Sequence, residues 1–305
     1  MFWGRENDVN GLFHSVIKPA TGYYNWSIPT ENNENIRACV KVAQRHGFEG
    51  VESYSSLEYC YDKNYRTVAD VSWNASGVDD PEEFDRRYAE LFYGDKASGA
   101  IDALRAMSDI MKDESRKSYI NRACKKLEYY FYCYRNNYFT SETGLHLFPD
   151  EAYGLIRENE SEYIPYLDYL RQKSLAAANF FENCGIKSRI NMIWLLTAKH
   201  YYALSDEYLT LYGLENEYNS GGINAFEVIF EAERLLKQRE VLMYMAENVR
   251  MPATSYTYLR NMSVFRQILT DLIAYFKNAV SKSEIPCFDM KNFKNIASKT
   301  LEFLA

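Results

Sequence analysis

Apolar and polar positions follow two different patterns in the first part of the chain. Residues 11–18 form a short apolar run closed by Pro19, and residues 48–54 form a second run between glycine and serine residues. Both runs predict buried β-strands. Between them, apolar residues recur at helical spacing, from Thr30 as the expected N-cap to Gly47 as the expected stop. The order strand, helix, strand predicts a parallel βαβ unit.

After these two runs the strand pattern almost disappears and helical spacing dominates. Pro81 suits the first position of a helix, the acidic residues behind it complement the helix dipole, and Gly94 ends that helix. The apolar stripes that predict the further helices are Phe84, Tyr88, Leu91 and Phe92; Ile101, Leu104 and Ile110; Ile120, Cys124, Leu127 and Phe131; Ile164, Leu167, Leu170, Ala178 and Phe181; Ile190, Ile193, Trp194, Thr197, Tyr201 and Leu204; Ala225, Ile229, Ala232, Leu236 and Met243; and Phe265, Ile268, Leu269, Leu272 and Phe276.

The predicted fold class is therefore mainly α, with a short N-terminal βαβ segment followed by an all-α helical bundle. We predict three parts: the βαβ segment at residues 1–78, helices packing on it at 79–143, and a helical domain at 150–305. Only 14 Gly and 7 Pro occur in 305 residues, which favours long helices. Trp73 is expected to pack between the first part and the helices.

Charge and motifs exclude several classes of function. The chain has 35 basic and 42 acidic side chains, a net charge of −7, which argues against a nucleic-acid partner. No run is long and apolar enough for a membrane span, and the first residues lack a secretory h-region, so we expect a cytoplasmic protein. Six scattered cysteines, four lone histidines and the absence of nucleotide-binding motifs predict neither a metal nor a cofactor.

The candidate chemistry lies directly after the two predicted strands. Tyr23 and Trp26 follow the first strand, and Glu52, Tyr54 and Asp62 lie in or after the second. Ligands of parallel α/β proteins bind at the carboxyl ends of strands. Aromatic rings can stack on sugar rings while carboxylates bond their hydroxyls, so the cluster predicts a carbohydrate ligand. The alternative is that each aromatic side chain packs at the rim of a core.

The same residues resemble a known class of enzymes. The segments TGYYNWSIPTEN, HGFEGVESYSSLEYCYDKNY and ADVSWNASGVDDPEEFDRRYAELFYG resemble the end of glycoside-hydrolase barrels related to the β-N-acetylhexosaminidase and α-glucuronidase families. The resemblance implies the last strands of an eight-stranded (β/α) barrel followed by helices. Because a whole barrel takes about 250 residues, it also implies that Met1 begins a truncated or split product. By the resemblance Trp26, Glu52 and Tyr54 match sugar-contacting positions.

Two hypotheses on function follow. The first is a carbohydrate-active protein, the C-terminal portion of a glycoside-hydrolase-like enzyme that lacks a complete active site in this chain. Its catalytic residue is unknown, and Glu52 is the carboxylate to test first, because burial in a strand would raise its pKa. Glu52 paired with a nearby Lys or Arg is the alternative at this position. The second hypothesis is a non-catalytic α-helical protein-interaction module, with an undetermined oligomeric state.

Overall fold

The fold is given by a computed structural model that describes residues 16–19, 21, 31–53, 61–73, 80–111, 157, 160–249, 252–290 and 296. In these ranges the chain is mostly helical with a two-stranded parallel sheet, so the predicted mainly α class is confirmed at this level. The elements are β1 (Val16–Ile17), α1 (Asn33–Arg45), β2 (Gly50–Val51), α2 (Asp62–Trp73), α3 (Pro81–Tyr93), a 3-10 turn (Gly94–Lys96), α4 (Ala97–Met111), α5 (Glu160–Asn183), α6 (Arg189–Asn219), α7 (Ala225–Val249) and α8 (Pro252–Ser281).

The predicted βαβ unit is present, with shorter strands than the apolar runs suggested. β1 and β2 pair in parallel, with Val16 opposite Gly50 and Ile17 opposite Val51. Ile17 packs against one side of α1, at Cys39 and Ala43. The other side of α1 packs against α2. Helix α1 is therefore buried between the sheet and the second helix, which places the carboxyl ends of both strands beside the start of α1 and α2.

Helix α1 ends as the sequence predicted, at a glycine with a positive φ. The Gly47 φ is 66°, and the Phe48 amide donates to the Ala43 carbonyl at 2.9 Å while the Gly47 amide donates to Gln44. These two bonds form a Schellman motif, which needs a left-handed residue at this position. The expected N-cap, Thr30, lies outside the described residues. The helix itself begins at Asn33.

Helix α3 also keeps its predicted limits. The Asp80 carboxylate caps the helix by accepting hydrogen bonds from the Glu82 and Glu83 amides, Pro81 opens the first turn, and Gly94 follows the last residue. One predicted stripe position is wrong, because Leu91 is 63% exposed. The buried side chains of this helix include Ala89 and Tyr93, so its inner face is turned away from position 91.

Trp73 was predicted to pack against helices, and this prediction is wrong. The side chain is 94% exposed. Helix α2 buries Lys63, Asn64, Thr67 and Val71, which recur at three- and four-residue spacing on one face. Position 73 lies two residues beyond the last of them, which is about 200° around a helix with 3.6 residues per turn. Trp73 therefore faces solvent.

The chain divides into two compact units, formed by residues 1–112 with 177–195 and by residues 113–176 with 196–305. The residues between the second and third predicted parts, and the helix predicted from the stripe at 120–131, lie outside the described residues. The division into 1–78, 79–143 and 150–305 therefore stays a prediction.

The first unit has an aromatic core besides the βαβ contacts. The ring of Tyr93 lies 5.9 Å from Phe180 and 6.2 Å from Phe181, measured between centroids. Gly99 lets Phe180 approach α4, since a Cβ at this position would lie 2.7 Å from the Phe180 ring. A larger residue at position 99 would displace that ring, so this glycine is required by close packing.

The second unit is built on the long helices. The six positions predicted as the apolar stripe of α6 are all buried. Helix α6 belongs to the first unit up to residue 195 and to the second unit from residue 196. In the second unit its residues Leu204, Leu211 and Leu214 pack with residues of α7 and α8 in one hydrophobic cluster. Among the described residues, no helix is long and apolar enough to cross a membrane.

Candidate functional site

The ends of the two strands meet at one edge of the sheet. Thr21 follows β1 and Ser53 follows β2, and their side-chain oxygens lie 2.9 Å apart in a hydrogen bond. The amide of Glu52 donates to the carbonyl of Ile17 at 2.9 Å. Three of the predicted sugar-contacting residues, Tyr23, Trp26 and Tyr54, lie outside the described residues. The segments that carry them begin next to Thr21 and Ser53.

Glu52 is not the buried carboxylate that a catalytic acid would require. Its side chain is 59% exposed, and one carboxylate oxygen lies 3.2 Å from Lys18 Nζ. The predicted burial is therefore wrong, and the alternative, a pair with a nearby cation, is what the structure shows. Lys18 follows β1 and Glu52 follows β2, so the pair lies across the carboxyl edge of the sheet and is open to solvent.

Asp62 and Asp70 both belong to α2 and both bind arginine. Asp62 is the first residue of the helix and accepts a hydrogen bond from Arg66 at 2.8 Å, one turn along. Asp70 accepts from Arg87 of α3 at 2.9 Å. Asp70 therefore connects α2 to α3, and Asp62, which the sequence placed after the second strand, is the first residue of the helix that follows it.

Asn64 connects the strand edge to the start of α1. Its side-chain amide donates to the carbonyl of Thr21 at 2.9 Å, and its side-chain oxygen accepts from the backbone amide of Asn32 at 3.0 Å. The buried asparagine therefore uses both ends of its amide group. A continuous chain of hydrogen bonds runs from Ser53 through Thr21 and Asn64 to Asn32.

Lys63, the neighbour of Asn64, lies buried between two carboxylates. Its ammonium group is 3.0 Å from Glu31 and 3.0 Å from Asp85 of α3, although only 5% of the lysine side chain is exposed. Burial lowers the pKa of Lys63, but the two carboxylates and their hydrogen bonds outweigh burial and raise it overall. The lysine is therefore a fixed cation and not a neutral amine that could act as a nucleophile.

Only one of the two carboxylate oxygens of Glu31 accepts hydrogen bonds in this network. Oε1 accepts from Lys63 at 3.0 Å and from Asn33 at 2.9 Å, and Asn33 is held in turn by the Thr67 hydroxyl at 2.8 Å. Oε2 is buried without a hydrogen-bond partner. A buried acceptor without a donor costs about 1–3 kcal/mol, so this oxygen marks a position where a donor would be stabilising.

A second buried polar cluster lies in the second unit, between α6, α7 and α8. Arg239 is 1% exposed, and its Nε donates to Glu207 at 2.6 Å. Nη1 contacts the Met262 sulfur at 3.4 Å, and the guanidinium lies over the Phe265 ring at 4.9 Å. Nη2 has no hydrogen-bond partner. Burial raises the pKa of Glu207, although Arg239 opposes that rise.

His200 accompanies this cluster and is buried as well. Burial, with a smaller contribution from the Arg239 charge, lowers the pKa of His200 to about 3. The imidazole is therefore neutral at physiological pH and belongs to the interior of the unit.

Sequence reasoning missed both clusters, although the spacing of the residues in the Arg239 cluster was visible. Arg239 occupies one position in a row of buried residues with three- and four-residue spacing, and Glu207 lies in the same way on the buried face of α6. A charged residue inside an apolar stripe predicts a buried pair. The row on α7 is Val228, Ala232, Leu235, Arg239, Leu242, Ala246 and Val249.

The chemistry available at the strand edge is hydrogen bonding and charge. The edge offers exposed Lys18 and Glu52, hydroxyls on Thr21 and Ser53, and the half-used carboxylate of Glu31. Within the ranges that the structure describes, no group of three or more His, Cys, Asp and Glu side chains is placed to hold a metal ion. Comparison of the chain with protein-family models, curated proteins and solved structures gave no match.

Proposed function

We propose that the carboxyl edge of the β1–β2 sheet binds a carbohydrate, as part of a glycoside-hydrolase-like barrel segment. The observation that carries the proposal is the Thr21–Ser53 hydrogen bond of 2.9 Å. It brings together the starts of the two segments that contain Tyr23, Trp26 and Tyr54. Without this contact, the aromatic residues predicted for stacking would belong to unrelated parts of the molecule.

The polar groups at this edge suit sugar hydroxyls. Lys18 donates and Glu52 accepts, and both are solvent-accessible. Behind them, Asn64 fixes the position of Thr21 with a buried hydrogen bond of 2.9 Å. An exposed pair on a supported backbone is the arrangement that binding sites use, because little order is lost when the ligand arrives.

Binding is a better proposal for this chain than hydrolysis. Glycoside hydrolysis generally needs two carboxyl groups about 5 to 10 Å apart, one of them protonated. Glu52 is exposed and paired with Lys18, and Lys63 lies between Glu31 and Asp85. Each of these carboxylates is engaged by a lysine, and Glu52 is open to solvent, so these pairs do not provide two free carboxyl groups on either side of a substrate. We therefore propose a sugar-binding segment whose catalytic acid is not among these residues.

Titration calorimetry with N-acetylhexosamines and uronic acids tests the proposal. We expect saturable heat for at least one sugar, and a loss of about tenfold in affinity in Glu52→Gln, since a hydrogen bond to a charged group contributes about 1.5 kcal/mol or more. Trp26→Ala is expected to weaken binding further by removing a stacking surface.

Glu49→Gln is the matched control for this experiment. Glu49 is exposed and directly precedes β2, so the same change of charge is made at the opposite end of the strand. Its affinity should equal that of the wild type. Heat that is absent for every sugar, or equal in Glu52→Gln, Trp26→Ala and wild type, would refute sugar binding at this edge.

A protein-interaction module is the second candidate, and the outer face of α7 favours it. Phe226, Phe230, Val241 and Tyr244 are all exposed, and their spacing places them on one side of the helix, over about 27 Å of its length. Glu233 and Lys237 are exposed on the same side between them, so the face carries two exposed apolar pairs separated by charged residues, and exposed apolar groups next to polar residues are found at contact surfaces. Sedimentation equilibrium of wild type and Phe230→Ser over a range of concentrations tests self-association, and identical monomers in both would count against it.

A further inference from the structure

The outer face of α7 has nearly the same pattern in both directions along the helix. At 3.6 residues per turn its exposed side chains lie within an arc of about 80° around the helix axis. From either end the order is aromatic, apolar, charged, charged, apolar, aromatic. The six exposed residues are Phe226, Phe230, Glu233, Lys237, Val241 and Tyr244.

This pattern is self-complementary about a two-fold axis. A surface that pairs with its own copy about such an axis places residue i against residue j, and j against i. In two antiparallel α7 helices that cross the axis at the level of position 235, each residue meets the one equally far from 235 on the other side. The facing residues of the two copies are Phe226 with Tyr244, Phe230 with Val241, and Glu233 with Lys237.

We infer that the outer face of α7 pairs with the same face of a second copy of this chain, in antiparallel orientation. The inference rests on the second candidate function, in which this face is a contact surface, and it names the partner. Charge complementarity favours the antiparallel orientation, because Glu233 meets Lys237 at two symmetric contacts. A parallel pair in register would place Glu233 against Glu233 and Lys237 against Lys237, and like charges across an interface repel.

Both central charges are accessible to a second copy. Lys237 is exposed and makes no ion pair with any described residue. Glu233 accepts a bond of 2.6 Å from Lys277 of α8, but 48% of its side chain remains exposed, so its carboxylate can also be reached by a lysine of the second copy. Glu240 is exposed as well. It lies about 60° from the middle of the arc, just outside the face.

The dimer is expected to be weak. A face about 27 Å long on a single helix is smaller than one side of a standard protein interface. Two apolar contacts and one ion pair are repeated by the two-fold axis, which favours reversible association over a permanent dimer. We expect a dissociation constant of about 10–100 μM.

Sedimentation equilibrium of charge-exchange variants tests the inference in the full chain, at concentrations that span this value. The variants Glu233→Lys and Lys237→Glu each place like charges at both symmetric contacts, so the dissociation constant should rise by about tenfold or more. The double variant Glu233→Lys/Lys237→Glu exchanges the two charges and restores opposite charges at each contact. Its dissociation constant should return to within about threefold of the wild-type value.

An equimolar mixture of the two single variants gives a second readout. In the mixed dimer the charges are opposite at both contacts, so the mixture should associate more tightly than either variant alone. A gain of association cannot be produced by misfolding. Glu217→Lys is the matched control, since it makes the same charge change at an exposed position of α6 and should keep the wild-type dissociation constant.

The outcomes distinguish this inference from the functions proposed above. Association that is weakened in Phe230→Ser but unchanged in both single charge variants would overturn the antiparallel pairing and leave α7 as a contact surface. Wild type that remains monomeric at every concentration would overturn the pairing and self-association together, without bearing on sugar binding. Single variants that neither the double variant nor the mixture rescues, or an equal loss in Glu217→Lys, would also contradict the inference.

Discussion

Each unit of the molecule contains a buried cation that contacts a carboxylate, Lys63 in the first and Arg239 in the second, and these two cations are satisfied in different ways. Lys63 in the first unit lies between two carboxylates, and the network around it has an acceptor to spare, Glu31 Oε2. Arg239 in the second unit has one carboxylate, a methionine sulfur and an aromatic ring, and it has a donor to spare, Nη2. One cluster lacks a donor and the other lacks an acceptor.

This difference in unpaired groups distinguishes the Lys63 cluster, a candidate binding site, from the Arg239 cluster, which we interpret as structural. The Lys63 cluster draws side chains from α1, α2 and α3 and is continuous, through Asn64, with the edge where two strands end. The Arg239 cluster is surrounded by apolar side chains of a helical core. A missing donor beside a strand edge suits a ligand rich in hydroxyls. A missing acceptor inside a bundle has no such neighbours, and we interpret this cluster as structural.

The largest expected effect is that of Lys63→Met. The change keeps the volume but leaves Glu31 and Asp85 facing each other without the ammonium group, so we expect the free energy of unfolding to fall by about 3–5 kcal/mol. Urea unfolding followed by circular dichroism measures it. Arg66→Met is the control, since Arg66 makes an exposed pair one turn away in the same helix and should cost below about 1 kcal/mol. Equal costs for the two variants would contradict the buried network.

The second effect is that of Arg239→Met, which should be smaller than the first. The substitution leaves only Glu207 unpaired, and because burial already raises the pKa of Glu207, this carboxyl group can take up a proton. We expect a loss of about 3 kcal/mol at neutral pH, recovered in part in Arg239→Met/Glu207→Leu. Lys277→Met removes an exposed pair and serves as the control. A double variant as unstable as the single one would show that the charge pair is not the cause.

The effect that is smallest at neutral pH, and that grows as the pH falls, is the pH dependence contributed by His200. Its folded pKa of about 3 is below the unfolded value of about 6.5, so between these values the unfolded chain binds more protons. The stability from His200 is present above pH 6.5 and is lost as the pH falls toward 3, at up to about 1.4 kcal/mol per pH unit. Glu207 acts in the opposite direction, because its folded pKa is raised.

The measurement for His200 is therefore a difference between two proteins. Urea unfolding of wild type and His200→Gln from pH 7 to pH 4 should show a steeper loss of stability in the wild type. His46→Gln, at the C-terminal end of α1, is the control and should keep the wild-type slope. Parallel curves for wild type and His200→Gln would mean that the imidazole is not desolvated in the folded state.

Much of the fold could be predicted from local chemistry. Pro81, Gly94 and Gly47 fixed helix limits because their backbone preferences act within a few residues. The apolar stripe of α6 predicted burial for the same reason. The length of the strands could not be predicted, since it depends on which residues of an apolar run find a partner strand. Trp73 and Leu91 were mispredicted because both lie on the side of a helix that faces away from its buried residues, and an apolar residue type alone does not show which side it occupies.

Less of the candidate site could be predicted. Position after a strand predicted that Glu52 would lie at the carboxyl edge of the sheet, and the structure places it there in a pair with Lys18. The Thr21–Ser53 contact beside it was not predicted. It could not indicate that Lys63 joins Glu31 and Asp85, because these residues are far apart in sequence and each looks like an ordinary surface charge. Long-range pairing of charges depends on how three helices pack, and a single sequence carries little trace of it.

The two-residue strands have a consequence for the lifetime of the sheet. Within the described residues the ladder pairs two residues of each strand, and the side chains of Thr21, Ser53 and Asn64 add hydrogen bonds at its carboxyl edge. Opening of the sheet is therefore expected to disturb that edge as well. A molecule that occupies the edge would slow deuterium exchange at the Glu52 amide, which donates across the sheet to Ile17. The exchange rate of this amide would therefore show whether a ligand is bound at the carboxyl edge of the sheet.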